Sequence, residues 1–387
     1  MRTDVPGLLR LLLTVVVMAA AGAATWRVAR VDWDLGYARR GGADADAGGA
    51  SRARERLTEQ PLDGAAFRAL GERSAAQGDS AAALDFFQTA VRRDPRDPLV
   101  RIQLINIYLA RADEPAALQH LDALLRISPA IGDPVLRRLV SPMASAAFSA
   151  ALAKRVAEDP PWRELLPAAL AASTDIASAE HLLADLGGRS RFRAPEVALR
   201  ASLLERMARP RAARQVWRAG LPAELKDLDG LVFDGGFESG EGPQPYGWQW
   251  RSVASAVAGV DTSQPAEGRS ALTLEFDGRI VDVFSVSQDL VLGPGLYRMD
   301  LQADIALDNA GRGFAWIVGC RDSSIQMARL QVPARTQGWQ RFSVSFDVSP
   351  LCPRQRLELV NEGRNPGERR PSGRMAFDGV RIREMPP

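Results

Sequence analysis

The residues best suited to recognition chemistry are three aromatics at alternating positions, Tyr246, Trp248 and Trp250. Sugar rings stack on such side chains through their apolar C–H faces, so the cluster is a candidate glycan platform. The same residues suit a sandwich core, above all Trp248. By strand parity all three share one face, so they are core together or exposed together unless a bulge intervenes. Cys320 and Cys352, the only cysteines, fall in the same C-terminal segment. A bridge between them closes a loop of about 33 residues and stabilises by roughly 3–4 kcal/mol in the chain-entropy model. Paired with an export-like N-terminus, they predict a disulfide. His120 and His181, the only histidines, sit in helical patterns and read as helix surface. With two histidines and two cysteines there is no cluster at zinc-ligand spacing. No G-x-S-x-G, P-loop or H-E-x-x-H occurs. The acids fall on helical surfaces, turns and polar strand faces, and form no recognisable glycosidase pair. The expectation is that this chain is not an enzyme.

These residues need a scaffold, and the 387-residue chain is long enough for two or three domains. Apolar residues at 46% and charged residues at 25% exclude global disorder and a polytopic membrane protein. A net charge of +2 gives no field for nucleic acid. The middle of the chain repeats with a period of 34. Phe67, Leu70 and Gly71 open one unit, Gly78 closes its first helix, Ala83, Phe87 and Ala90 mark a second, and Pro95 ends it. Shifted by 34, Leu70 maps to Leu104, Ala83 to Ala117, Phe87 to Leu121, Ala90 to Leu124 and Pro95 to Pro129. This resembles the tetratricopeptide repeat. Two units match well and a third weakly, where the glycine-rich run Gly41–Ala50 spoils the helices. Helical patterns persist over Pro142–Ala157, Trp162–Ala172, Ser178–Leu186, Pro195–Ala208 and Pro210–Arg218. The reading is an α-solenoid over 51–220, a form that presents a concave face to partners.

After Leu228 the hydrophobic period changes from 3.6 to 2. Tyr297, Met299, Leu301, Ala303 and Ile305 alternate with polar residues, as do Phe342, Val344, Phe346 and Val348. Eight to ten strands with no helical pattern between them predict an antiparallel β-sandwich. The segment opens with Phe233-Asp-Gly-Gly-Phe-Glu238 and Pro245-Tyr-Gly-Trp248, and closes with Phe377-Asp-Gly-Val380. It resembles the jelly-roll carbohydrate-binding modules found on xylanases and glucanases, over most of 229–387. Asp234 replaces their usual asparagine and Gly379 their second closing aspartate. The resemblance implies that Glu238 and Asp378 help hold a structural calcium ion, with no other cofactor required. A jelly roll also serves as a plain structural module.

At the N-terminus, Leu11–Ala24 carries no charge, and the apolar run extends from Val5 to Trp26 with only Arg10 inside it. It reads as a membrane anchor over 1–26. The rival is a signal segment cleaved near Ala23, since Ala21-Gly22-Ala23 has the small-x-small form. Arg27, Arg30, Arg39 and Arg40 follow the segment, against the positive-inside rule. The cysteine pair nevertheless favours placing the bulk of the chain in the periplasm, as a single-pass protein of the inner membrane.

The domain plan is an anchor or signal at 1–26, a linker at 27–50, the solenoid at 51–220, a linker at 221–230 and the jelly roll at 231–387. With the Asp159-Pro-Pro-Trp-Arg163 stretch, this combination resembles bacterial envelope proteins associated with exopolysaccharide or O-antigen assembly. The resemblance implies a non-catalytic scaffold whose solenoid binds envelope proteins, with polysaccharide as a further partner of the sandwich. The other readings are a glycan-binding protein in which the solenoid is a spacer, and a hydrolase with an unrecognised site.

Overall fold

The computed structural model describes residues 47–140, 145–281 and 285–386. The anchor or signal at 1–26 and the linker up to residue 46 lie outside them. Among the described residues no helix is long and apolar enough to cross a membrane. The chain divides into two compact units, 1–191 and 192–387.

The first unit is helical. It contains α1 (Ala47–Glu59), α2 (Gly64–Ala76), α3 (Ser80–Arg93), α4 (Pro98–Ala110) and α5 (Glu114–Ile127). These are followed by α6 (Pro129–Leu139), α7 (Ala146–Ala157), a 3₁₀ turn (Pro161–Leu165), α8 (Leu166–Ala171) and α9 (Ile176–Arg189). The period of 34 is written into the helix starts as well as the buried face. Asp63 and Asp97 cap α2 and α4, and Asp79 and Asp113 cap α3 and α5, each carboxylate accepting a free amide of the first turn. Each such cap is worth about 1 kcal/mol. The helix ends repeat too: Gly78 and, 34 residues on, Ala112 sit in the left-handed region at φ 81° and 54°. Ala83, Phe87, Ala90, Val100 and Leu104 have no exposed surface. A Cβ on Gly71 would meet the Phe87 ring at 2.7 Å, so α2 and α3 approach this closely only because residue 71 has none. The glycine-rich run does not prevent a helix here. Ala47–Glu59 is helical, with Ala50 and Ala53 packed against Ala66 and Leu70. The helix starts inside the expected linker because tertiary packing overrides the low propensity of Gly48 and Gly49.

Among its described residues the second unit holds two α-helices and a β-sandwich of ten strands. The helices are α10 (Ala194–Arg206) and α11 (Pro210–Ala219), turning at Ala208 with φ 55°. The ten strands are β1 (Gln249–Arg251), β2 (Ala256–Asp261), β3 (Ala271–Asp277), β4 (Ser285–Leu290) and β5 (Gly295–Asp308), then β6 (Phe314–Cys320), β7 (Gln326–Val332), β8 (Gln340–Val348), β9 (Gln355–Asn361) and β10 (Ser372–Glu384). They form two five-stranded antiparallel sheets, ordered β1-β4-β9-β6-β7 and β2-β3-β10-β5-β8. Inward residues of both sheets, such as Leu274, Met299, Leu301, Trp316, Leu357 and Met375, make one core. The opening and closing segments meet where Gly235 lies under the Val380 carbonyl. A Cβ at 235 would fall 1.8 Å from that oxygen.

The α-plus-β class and the antiparallel sandwich agree with the sequence reading, but the boundary at 220 does not. Ala201, Leu204, Ala213, Trp217 and Leu221 share one apolar cluster with Phe233 and Tyr246. The last helix pair is therefore built onto the sandwich segment. Nor is 221–230 a free linker. Ala223–Leu228 is a 3₁₀ turn, and Asp229 is held by Arg214 and Arg218, each at 2.5 Å.

Candidate functional site

The aromatic trio does not form a glycan platform. Strand β1 starts only at Gln249, so strand parity does not extend back to Tyr246 and Trp248. Tyr246 is buried in the α10–α11 cluster, where its hydroxyl donates to Glu205. Burial, and then the Glu205 carboxylate, push its pKa well above the usual phenol value. Trp248 has no exposed surface. Its indole donates to the Asp234 carbonyl at 2.9 Å, and its ring meets Phe237 and Trp316. Trp250 pairs with Val286 and is half-buried against the edge of the main core. The glycan-contact assignment of Tyr246 and Trp248 is thus corrected: two separate cores need these rings.

Glu238 and Asp378 are brought together, as the resemblance implied. The Glu238 Oε1 and Asp378 Oδ1 atoms both lie 3.8 Å from the position of a Cβ on Gly236. Their partners, however, are donors. Asp378 is fully buried and accepts from the amides of Ala266 and Glu267, each at 2.9 Å, and of Gly379 at 2.6 Å. Burial raises its pKa against the pull of those amides. Glu238 accepts from the Arg269 amide at 2.8 Å and the Ser270 hydroxyl at 3.3 Å. Among the described residues no three acids, histidines or cysteines converge on a metal position. Calcium takes six to eight oxygens, and this donor set does not fit it. The two carboxylates tie the 265–270 turn to the ends of the sandwich. Asp234 does similar work beside them, accepting from the amides of Glu238 and Ser239 at 2.7 and 2.8 Å.

Cys320 and Cys352 form the expected disulfide, joining the end of β6 to the turn before β9.

In the first unit the two matching hairpins present matching faces. Ala65, Ala69 and Glu72 on α2 correspond at a spacing of 34 to Leu99, Gln103 and Asn106 on α4, and the latter three are half-buried. Between the hairpins lies a polar cluster that sequence reasoning missed. Gln88 donates to the Tyr108 hydroxyl at 2.8 Å, Tyr108 stacks on His120, and Arg101 lies 3.1 Å from His120 Nδ1. Burial, and then the Arg101 charge, lower the His120 pKa to about 4. His120 is therefore a packed residue, while His181 is exposed as expected. The conspicuous Trp162 of the Asp159–Arg163 stretch is structural. Its indole donates at 2.8 Å to Asp122, a buried carboxylate that also takes Arg155 at 2.6 Å and Arg126 at 3.0 Å. Burial pushes the Asp122 carboxyl up, but its bonds from Arg155, Arg126 and Trp162 outweigh that and hold the pKa below the usual value.

The tetratricopeptide repeat family matches residues 74–141. No curated protein matches the chain. Among solved structures, the CBM22-1 xylan-binding domain of Paenibacillus barcinonensis Xyn10C is similar at 18% identity and a TM-score of 0.27, over 39% of this chain and 91% of that one. TmCBM61, solved in complex with β-1,4-galactotriose, is similar at 16% identity and a TM-score of 0.30, over 41% and 99%. A CBM4 structure is similar at 13% identity and a TM-score of 0.29, over 40% and 99%. The chain thus combines tetratricopeptide repeats with a two-sheet β-sandwich.

Proposed function

We propose that the protein is a non-catalytic scaffold that binds a protein partner through the first helices of its repeats. The observation that carries this reading is the repeated face, Ala65, Ala69 and Glu72 followed 34 residues on by Leu99, Gln103 and Asn106, the second set inside the region matched by the repeat family and the first just ahead of it. Helix α4 carries apolar residues almost all round, and Leu99, Ile107 and Leu109 keep part of their surface open. A helix of that character is normally covered. The non-catalytic part is supported by the buried carboxylates. Asp122, Asp234 and Asp378 are each held by two or more local donors in structural roles.

The setting of the proposal is the bacterial envelope, anchored at 1–26 with the bulk in the periplasm, where the scaffold serves exopolysaccharide or O-antigen assembly. The Cys320–Cys352 disulfide supports an oxidising compartment. Alkaline phosphatase fused after Pro387 is expected to be active, and an inactive fusion would reverse the topology. The partner contact is tested with a photo-crosslinking residue in the full chain. At Gln103 or Asn106 it should give one discrete protein adduct, absent when it stands at Arg93. Equal labelling from all three sites, or none from any, would refute the assigned face.

A further inference from the structure

The outer face of the β2-β3-β10-β5-β8 sheet carries a feature that neither the repeats nor the aromatic cluster involve. A groove of about 650 Å³ runs over β10, β5 and β8, and four arginines line it: Arg298, Arg341, Arg381 and Arg383. Alternation along each strand brings them to the same face. Register then sets Arg383 opposite Arg298, Arg381 opposite Asp300, and Arg341 opposite Gln302. Two of the four are satisfied. Arg298 donates to Asp300 and Ser343, each at 2.9 Å, and Arg381 pairs with Glu267. Arg341 and Arg383 are exposed and have no hydrogen bond or ion pair among the described residues. Two like charges directly opposite in an antiparallel pair, as at Arg383 and Arg298, are unfavourable. An anion lying between them reverses that sign.

We infer that this groove binds an acidic polysaccharide, a glycan chain bearing carboxylates, through Arg341 and Arg383. The geometry selects a chain. The two free arginines stand on strands flanking β5, four residues apart in its register, so their backbones are separated by about 17 Å. One small anion would hold both only with the two side chains stretched towards each other, whereas a chain with repeated charges meets each where it stands. Guanidinium matches carboxylate oxygens in a planar, two-bond fashion. Midway between the arginines stand Ser343 and Asp300, whose charge Arg298 takes up at 2.9 Å, and Gln302 lies beside Arg341; Ser343 and Gln302 are neutral groups suited to the hydroxyls of a sugar. Phe342, the one aromatic ring among the lining residues, packs on the core and leaves no aromatic platform for a base or a neutral sugar face. The site is independent of the protein contact assigned to the repeats, and its test reads a different ligand.

The test is titration of the full-length protein with polygalacturonate and with the same polymer after reduction of its carboxyl groups. Binding is expected for the acidic polymer alone, weakening as salt rises. Arg341→Gln/Arg383→Gln should lower affinity at least tenfold with an unchanged melting temperature, since neither side chain has a partner to lose. Arg52→Gln/Arg93→Gln, an equal charge change in the other unit, should have no effect. Should the glutamine pair unfold, Arg341→Lys/Arg383→Lys is the second variant, with an expected loss of a few-fold from the missing two-bond contact. No binding of polygalacturonate, equal loss in the control pair, or polyglutamate binding as tightly as the glycan would each overturn the assignment.

Discussion

The contact between Gly71 and Phe87 sets the spacing of the first repeat, and a double-mutant cycle measures it. Phe87 is fully buried, so Phe87→Ala removes its whole ring from a closed site and should cost about 3–5 kcal/mol. Gly71→Ala places a methyl 2.7 Å from the ring, against a neighbour whose own surroundings are packed. Overpacking of this kind costs about 1–3 kcal/mol. In the Phe87→Ala background the obstacle is gone and the new methyl fills part of the cavity. Gly71→Ala should then be neutral or stabilising, so the double variant should be more stable than the sum of the singles implies by at least about 1 kcal/mol. Urea unfolding of the full chain followed by far-ultraviolet circular dichroism gives all four corners. Additivity within about 0.5 kcal/mol would show that the two residues do not meet, and the repeat register drawn from them would be wrong.

The half-buried imidazole of His120 should make the helical unit acid-sensitive. Its native pKa of about 4 lies below the unfolded value of 6.5, so stability is flat above pH 6.5 and falls as pH drops from 6.5 towards 4; His120→Gln should flatten that part of the profile, and an unchanged profile would exclude the site. Ala112 holds a left-handed conformation that its repeat counterpart Gly78 adopts without strain. Ala112→Gly should therefore raise stability by about 1 kcal/mol, read as a shift in the urea midpoint, and a loss would count against the strain. Reduction of Cys320–Cys352 should cost the sandwich about 2–4 kcal/mol, seen as a lower melting temperature in reductant, without changing the helical transition.

The repeats were legible in sequence because their signal is redundant: Phe87 and Leu121, Ala83 and Ala117, and Pro95 and Pro129 all agree on one period. The aspartate caps at 63 and 97, and at 79 and 113, carry the same period and are a further signal open to inspection. The boundary was not legible. The pattern around Ala213 and Trp217 shows that α11 has a buried face, but a helix face does not name what covers it. Tyr246 completes that cluster, and alternation does not fix its face because the strand begins only three residues later, at Gln249. The roles of the buried acids are hidden for a related reason. Asp122 stands between Leu121 and Ala123, and Asp378 between Phe377 and Gly379, so each acid sits in an apolar run, but only folding brings in the partners that hold it, Trp162 and Arg155 or the amides of Ala266 and Glu267. The groove arginines follow a simple alternation in β5 and β10, yet the cross-strand register that joins them to Arg341 is not a property of any one strand.

The helix pair that covers Phe233 and Tyr246 changes how this gene can be cut and joined. A fragment started where the helical rhythm stops, near residue 221, would keep every strand but lose Trp217, Leu204 and Ala213. It would leave a freshly bared oily patch and a tyrosine hydroxyl without Glu205. Such a fragment is expected to clump during expression, and its failure would say nothing about what the sandwich recognises. The portable cassette begins ahead of Ala194, and the same point is where a recombination event could move the sandwich between genes without damage.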